Sequence, residues 1–341
     1  MGTTSYFVRR FLLIIPTFIG ITLLVFAVTR LVPGGPIERM LTQALVAGGE
    51  RGGPPRGVAG STLSDEQLGQ LRAYYGFDKP ILVSYVEWLR KVVVLDLGRS
   101  TRYNEPVWGA IKDRFPISIF YGITTLILTY GVCIPLGIWK AIRHHSHFDN
   151  VSSGIVFLGY AIPGYVVGIA LLTYFASQLS WFPLGGFVSE NFAQLGAWGK
   201  TKDITSHAVL PLLSYMAGSF AVTTFMMKNS LMDNLSADYV RSAIAKGLSF
   251  QQAVTRHAVR NSLIPIATSF GNNIALILTG SFLIERIYNI DGFGLLGFES
   301  LVDRDYPVVM GILVISSLLF LVGNILSDLC VAIVDPRVKF G

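Results

Sequence analysis

Apolar and polar residues alternate along this chain in blocks far longer than the turns of a soluble fold. Six apolar runs, at about residues 11–31, 116–139, 153–179, 209–227, 264–284 and 308–334, are predicted to be membrane-crossing helices. Each holds roughly 20 residues or more, enough at about 1.5 Å per residue to cross about 30 Å of hydrocarbon. Polar segments separate them: 1–10, 32–115, 140–152, 180–208, 228–263, 285–307 and 335–341. The predicted fold class is an all-α membrane protein with six transmembrane helices and one large polar domain, 32–115, between the first and second. Arg9 and Arg10 precede a first run too long for a signal-peptide core and without a small-residue cleavage site, so it is expected to be retained. Lys140, Arg143, Lys228, Lys246, Arg256, Arg260, Arg337 and Lys339 fall on alternate connections, together with Arg9 and Arg10. The positive-inside rule then places both termini in the cytoplasm.

The polar segments carry local signals. Residues 48–60 are rich in Gly, Pro and Arg and are expected to form a loop. Ser64 with Gln67 has capping-box spacing, and Leu63 with Leu68 forms a hydrophobic staple, predicting a short helix to about Tyr75. A second helix, from about Ile81 to Leu95, contains Trp88 and is suited to lie along a membrane surface. Pro163-Gly164 should kink the third apolar run. Asn272 and Asn273 lie mid-run in the fifth, where amides either bind a neighbouring helix or line a wet path.

Composition narrows the function classes. The 341 residues are 52% hydrophobic and 14% charged, with mean hydropathy +0.55, which fits a membrane protein. The net charge of +6 sits beside apolar runs rather than on a basic stripe, so no nucleic acid is expected. Cys133 and Cys330 lie inside apolar runs and are expected to be buried thiols. His144, His145 and His147 lack a Cys or acidic cluster to complete a ligand set, which favours a headgroup-level loop over a metal site. Gly199-Lys200-Thr201 resembles the end of a phosphate loop, but Gln194 stands where its first Gly is needed. No ATPase site and no bound cofactor are expected on this chain. A remote alternative, an intramembrane serine protease, finds Ser219 and Ser281 in apolar runs but no His partner at that depth.

The stretch from Ser236 to Pro265 is a polar, basic island between two apolar runs. It predicts two short helices broken at Gly247. Ser236 is a candidate N-cap, and Asp238 sits where the helix dipole favours an anion. Tyr239, Val240, Ala243 and Ile244 form a narrow apolar stripe at helical spacing. Gly247 can take the left-handed conformation that closes a helix, and Ser249 with Gln252 starts the next one. The pattern suits either a docking element or a hairpin lying on headgroups.

In this island Tyr239-Val240-Arg241, Ala243, Ala245-Lys246-Gly247-Leu248-Ser249, His257-Ala258, Arg260-Asn261, Leu263 and Pro265 match in register the ATPase-contacting loop of ABC importer permeases. The match is to the dipeptide and oligopeptide permease B family, with Ser242, Ile244 and Ser262 as departures. Further patches resemble that family: Tyr75 to Pro80, Asp96 to Ser100, Arg114 to Ser118, Asp291 to Leu296, Arg304-Asp305-Tyr306-Pro307 and Asp335-Pro336-Arg337. The oligopeptide and microcin C uptake branch is the most similar.

The resemblance implies a permease of the type I ABC importer kind in the bacterial inner membrane, with residues 32–115 as a periplasmic domain. Its partners would be a second homologous permease subunit, ABC ATPase subunits carrying ATP and Mg2+, a periplasmic peptide-binding protein and membrane lipid. The ATPase-coupling residues would be Tyr239, Val240, Arg241, Ala243, Ile244, Lys246, Gly247, Leu248, His257, Arg260, Asn261 and Pro265. Asn272 and Asn273 are candidates for the translocation path. Asp291, Gly292, Gly294, Arg304 and Asp305 are candidates for contact with the binding protein. A permease for nickel or another small solute is the runner-up, because that branch shares the coupling loop.

Overall fold

The computed structural model describes residues 3–31, 78–278 and 280–334. The predicted loop at 48–60, the helix ending near Tyr75 and the tail at Asp335-Pro336-Arg337 lie outside the described residues. The helices are α1 (Thr3–Leu31), α2 (Ile81–Val93), α3 (Val107–Ile142), α4 (His147–Ala161), α5 (Gly164–Leu171), α6 (Ala197–Ser236), α7 (Asp238–Ala245), α8 (Phe250–Ala253), α9 (Val259–Ser262), α10 (Ile264–Leu278), α11 (Phe282–Ile287), α12 (Phe293–Val302) and α13 (Tyr306–Val334). Among the described residues there is no β-strand, only an isolated bridge between Arg99 and Pro106.

Among the described residues, four helices are long and apolar enough to cross a membrane unbroken: Tyr6–Ala27 within α1, then α3, α6 and α13. The predicted third span is a broken pair. Helix α4 and the stretch Gly164–Gln178 are bent by 95°. Pro163 has no N–H to continue the ladder and drives Ile162 into an extended conformation (φ −99°, ψ 121°). The predicted fifth span, 264–284, is not one helix either. Helix α10 has 15 residues, about 22 Å at the helical rise, and the chain restarts as α11 after Gly280 at φ +75°.

Two predicted spans prove to be the middles of longer helices. Helix α3 starts at Val107, well before Pro116, and carries Pro116 and Pro135 in its interior. Helix α6 runs for 40 residues with Pro211 inside it. Its length of about 60 Å is twice the hydrocarbon thickness, so it carries backbone order from the apolar run directly into the island.

The chain divides into two compact units. The first combines Met1–Ile14, Arg114–Leu296 and Leu318–Gly341. Its described part has two buried clusters. One joins Tyr121, Ala176, Leu210, Leu212, Ile284, Tyr288 and Ile290. The other joins Ala141, Met227, Leu231, Val240, Ala253, Ala258 and Ile266. Helices α10 and α13 cross at a Gly–Gly contact, where a Cβ on Gly271 would overlap the carbonyl oxygen of Gly323. Small residues permit such backbone approach between membrane helices, and Ser327 Oγ adds a 2.8 Å bond to the Ala267 carbonyl.

The second unit combines Ile15–Asp113 and Gly297–Ser317. Phe26, Tyr85 and Met310 form its small core with Leu23, Trp88 and Leu89 at the rim. The Tyr85 hydroxyl lies 2.9 Å from Thr22 Oγ1 and donates to the Ile19 carbonyl at 3.0 Å. Helix α2 turns Ser84, Tyr85 and Val92 inward and leaves Ile81, Leu82, Val83 and Val86 exposed.

Candidate functional site: the island between α6 and α10

The island folds as two short helices around Gly247. Helix α7 ends in a Schellman closure: Gly247 N–H donates to the Ile244 carbonyl at 2.9 Å and Leu248 N–H to the Ala243 carbonyl at 3.3 Å. Gly247 sits at φ +97°, a conformation that side chains with a Cβ rarely adopt. Ser249 and Gln252 complete the capping box in both directions, at 3.3 and 3.1 Å. The predicted cap at Ser236 is different. Ser236 is the last residue of α6, and its hydroxyl donates to the Asp233 carbonyl at 2.8 Å. Ala237 takes the N-cap position of α7 without a side-chain bond, while Asp238 stands in the first turn as expected.

The predicted apolar stripe divides into an inner and an outer face. Val240 is buried among Met227, Leu231, Ala253, Ala258 and Ile266, with Ala243 packed at the edge. It cannot fill a groove on another protein, contrary to the expectation that it docks there. Tyr239 and Ile244 are exposed. One residue along a helix turns about 100°, so Tyr239 points away from the core that Val240 enters. The Tyr239 hydroxyl donates to Asn234 Oδ1 at 2.5 Å, which holds the ring in place. Arg241, Lys246 and His257 are exposed, and Leu248 and Asn261 are half-buried. Phe250 was not singled out by the sequence pattern, yet it is 52% exposed. As the first residue after the Ser249 cap it is held on the outside of the capping box.

Three anchors make the island one piece with the helices around it. Ser262 Oγ lies 3.2 Å from the Ser230 carbonyl of α6. Arg260 Nε donates to the Val334 carbonyl at the end of α13, 2.7 Å away, while the residue stays exposed. Helix α10 begins at Ile264, with Pro265 in its first turn, where a missing N–H costs nothing. A π-helical turn, Val254–Ala258, joins α8 to α9.

A buried ion cluster fixes the helices that lead into the island. Asp149, in the first turn of α4, accepts from Lys228 Nζ at 2.7 and 2.8 Å. Lys140 Nζ lies 3.2 Å from the same carboxylate and donates to Ser152 Oγ and Ser153 Oγ at 2.7 and 2.8 Å. His144 Nδ1 is 3.1 Å from Asp149 Oδ2. Lys140 and Lys228, taken from the sequence as flanking charges, are therefore buried and paired. Their partners lie as far as 79 residues away in sequence, which no local pattern reveals.

The remaining candidate residues fall in different settings. Asn273 Nδ2 donates to Tyr130 Oη at 2.9 Å and so binds a neighbouring helix; Asn272 is exposed. Asp291 is exposed and paired with Arg114 at 2.6 Å, and Arg304 is exposed. Gly294 is half-buried and Gly292 buried. Asp305 is buried, which corrects its assignment as a surface contact. Its carboxylate accepts from Ser100 Oγ (2.5 Å), Thr101 N–H (3.2 Å) and Arg102 N–H (3.1 Å). It ties the Asp96–Ser100 patch to the start of α13.

Comparison with known proteins gives this arrangement a family. Residues 133–340 match the family described as binding-protein-dependent transport system inner membrane component. The chain is 40% identical to the peptidoglycan transport system permease protein YejB of Agrobacterium fabrum, covering 98% of each chain. It is 33% identical to the oligopeptide transport system permease protein AppB of Bacillus subtilis, covering 98% of this chain and 99% of that one. It is 32% identical to the dipeptide transport system permease protein DppB of Escherichia coli K12, covering 98% of each. The family match spans the island and the helices on both sides of it, so the chain belongs to the binding-protein-dependent inner membrane transport components, as a multi-pass membrane protein.

Proposed function

We propose that this chain is one permease subunit of an ATP-driven, binding-protein-dependent importer of oligopeptides. The observation that carries the proposal is the island: a short helix rigidly held from beneath by Val240 and presenting Tyr239, Arg241, Ile244, Lys246 and Phe250 outward. Exposed aromatic and basic side chains on a preorganised scaffold suit a protein groove, since little ordering entropy remains to be lost on docking. The partners in this proposal are a second permease subunit completing the path, ATPase subunits that bind ATP and Mg2+, and an extracytoplasmic peptide-binding protein. The basic connections then face the cytoplasm, and the predicted six crossings include the broken third and fifth segments.

Closure of the ATPase pair on ATP displaces α7. The anchors to α6 and α13, and the direct run into α10 at Pro265, pass that displacement to the apolar segments as a rigid-body movement. Asn272 lines the path that opens; Asn273 is part of its wall. The named relatives support a peptide-like substrate, and microcin C-type peptides fit the same class. The chain's own part is structural: it moves and encloses. A Gly247→Asp variant at φ +97° loses the Schellman closure. Peptide uptake is expected to be abolished while the chain still accumulates in the membrane. Normal uptake by a well-expressed variant would overturn the docking assignment.

A further inference from the structure

A buried carboxylate lies where the fifth apolar segment breaks. Glu285 of α11 is 1% exposed. Its Oε2 accepts the Leu295 N–H at 2.5 Å, in the first turn of α12, where a helix dipole favours negative charge. Its Oε1 accepts from Tyr215 Oη of α6 at 3.3 Å. The same Tyr215 oxygen receives the Ser281 N–H at 3.3 Å. Two glycines make room for the carboxylate. A Cβ on Gly292 would come within 2.6 to 2.7 Å of its carboxylate atoms, and a Cβ on Gly280 would overlap Oε1. Glu285 and Tyr215 together therefore join both ends of the loop 280–296 to α6.

We propose that Glu285 is the positioning residue that latches this loop, holding the broken end of the fifth segment and the start of α12 in a single arrangement. The loop also carries exposed Asp291, paired with Arg114 of α3. Resting on the importer function above, the latch sets the presentation of this loop to the delivering binding protein. Charge makes the latch sensitive to protons. Burial, reinforced by the Asp291 carboxylate, pushes the Glu285 carboxyl up to about 7 against the opposing bonds from Leu295, Tyr215 and Gly294. The titratable and charged groups facing it are Tyr215 on α6, Tyr121 on α3, and Asp291 with its partner Arg114.

The closed loop thus favours the neutral acid, and an opened loop with a solvated carboxylate favours the ion. The stabilisation of the closed form is fully present below the ordinary carboxyl range and is lost as pH rises through about 7. The opening equilibrium should rise by up to about tenfold per pH unit over that interval and level off above it.

Hydrogen exchange over residues 286–296 tests this, measured by mass spectrometry on the full chain in lipid nanodiscs from pH 5 to 8.5. Rates are divided by the intrinsic chemical rate at each pH. Wild type should show the pH-dependent loss of protection, and Glu285→Gln, a permanently neutral isostere, should show a flat profile with α6 and α7 unchanged. A wild-type pH profile retained in Glu285→Gln would overturn the latch. Should that variant not accumulate, Tyr215→Phe decides: protection several-fold weaker over 286–296 alone supports the latch, and unchanged protection overturns it. Exchange needs no transport, so its outcome stands apart from the importer assignment, which the Gly247→Asp uptake assay tests separately.

Discussion

Two regions of this molecule carry polar residues in recognisable patterns, and they use them in opposite ways. In the island between α6 and α10, one face of α7 is anchored by Val240 and the other leaves Tyr239, Arg241 and Ile244 at the surface, with Lys246 and Phe250 beyond it. In the segment from Gly280 to Tyr306, the acids Glu285 and Asp305 are buried and filled with donors from their own chain. Only Asp291 and Arg304 among its predicted contact residues are exposed. A motif whose side chains are already satisfied inside is architecture. A motif whose side chains are held rigid yet unburied is free to meet another molecule, which is the role proposed for the island.

Substitutions can break or sharpen this contrast. The largest stability loss is expected for Asp305→Ala, which removes the acceptor of three bonds in a buried site, at about 2–4 kcal/mol. Thermal unfolding in mild detergent should register it, and a melting profile like wild type would return Asp305 to the list of surface contacts. Val240→Ala should cost about 2 kcal/mol by opening a cavity beneath α7, seen in the same melts.

Tyr239→Ala and Phe250→Ala invert that pattern. Stability should stay within about 0.5 kcal/mol, while affinity for the ATPase subunit falls about tenfold or more, as for truncated aromatic anchors. Equal melting losses for Tyr239→Ala and Val240→Ala would erase the distinction between the two faces of α7. The smallest effects concern the caps. Ser249→Ala should cost about 1 kcal/mol, and Ser236→Ala, whose hydroxyl caps nothing in α7, no more than a few tenths. Exchange rates across α7 and α8 separate the two.

What the sequence disclosed follows from which interactions are local. The capping box at Ser249 and Gln252, the glycine closure at Gly247 and the helix from Ile81 are set by residues within a few positions, and all three are present. The apolar stripe of α7 was visible, but not which side of it faced the core, because that depends on where Met227, Leu231 and Ile266 stand. Apolar runs marked the middles of α3 and α6 but not their ends, since a helix continues past its last apolar residue as long as its ladder does. Pro163 announces a kink, but its size, 95°, is legible only in the structure. The Asp149 cluster, the Glu285 latch and the Asp305 clamp depend on partners tens to hundreds of residues away, so composition and spacing are silent about them.

In the proposed importer, the island is where an ATPase drives this permease. The most direct measurement is affinity purification of the tagged full chain from its native membranes in mild detergent, wild type beside Gly247→Asp, with mass spectrometry of the co-purifying proteins. A second permease and an ABC ATPase should come with the wild-type chain, and the ATPase should be lost from an equally abundant Gly247→Asp chain. An ATPase recovered equally with both chains, or with neither, would contradict the proposed role of the island.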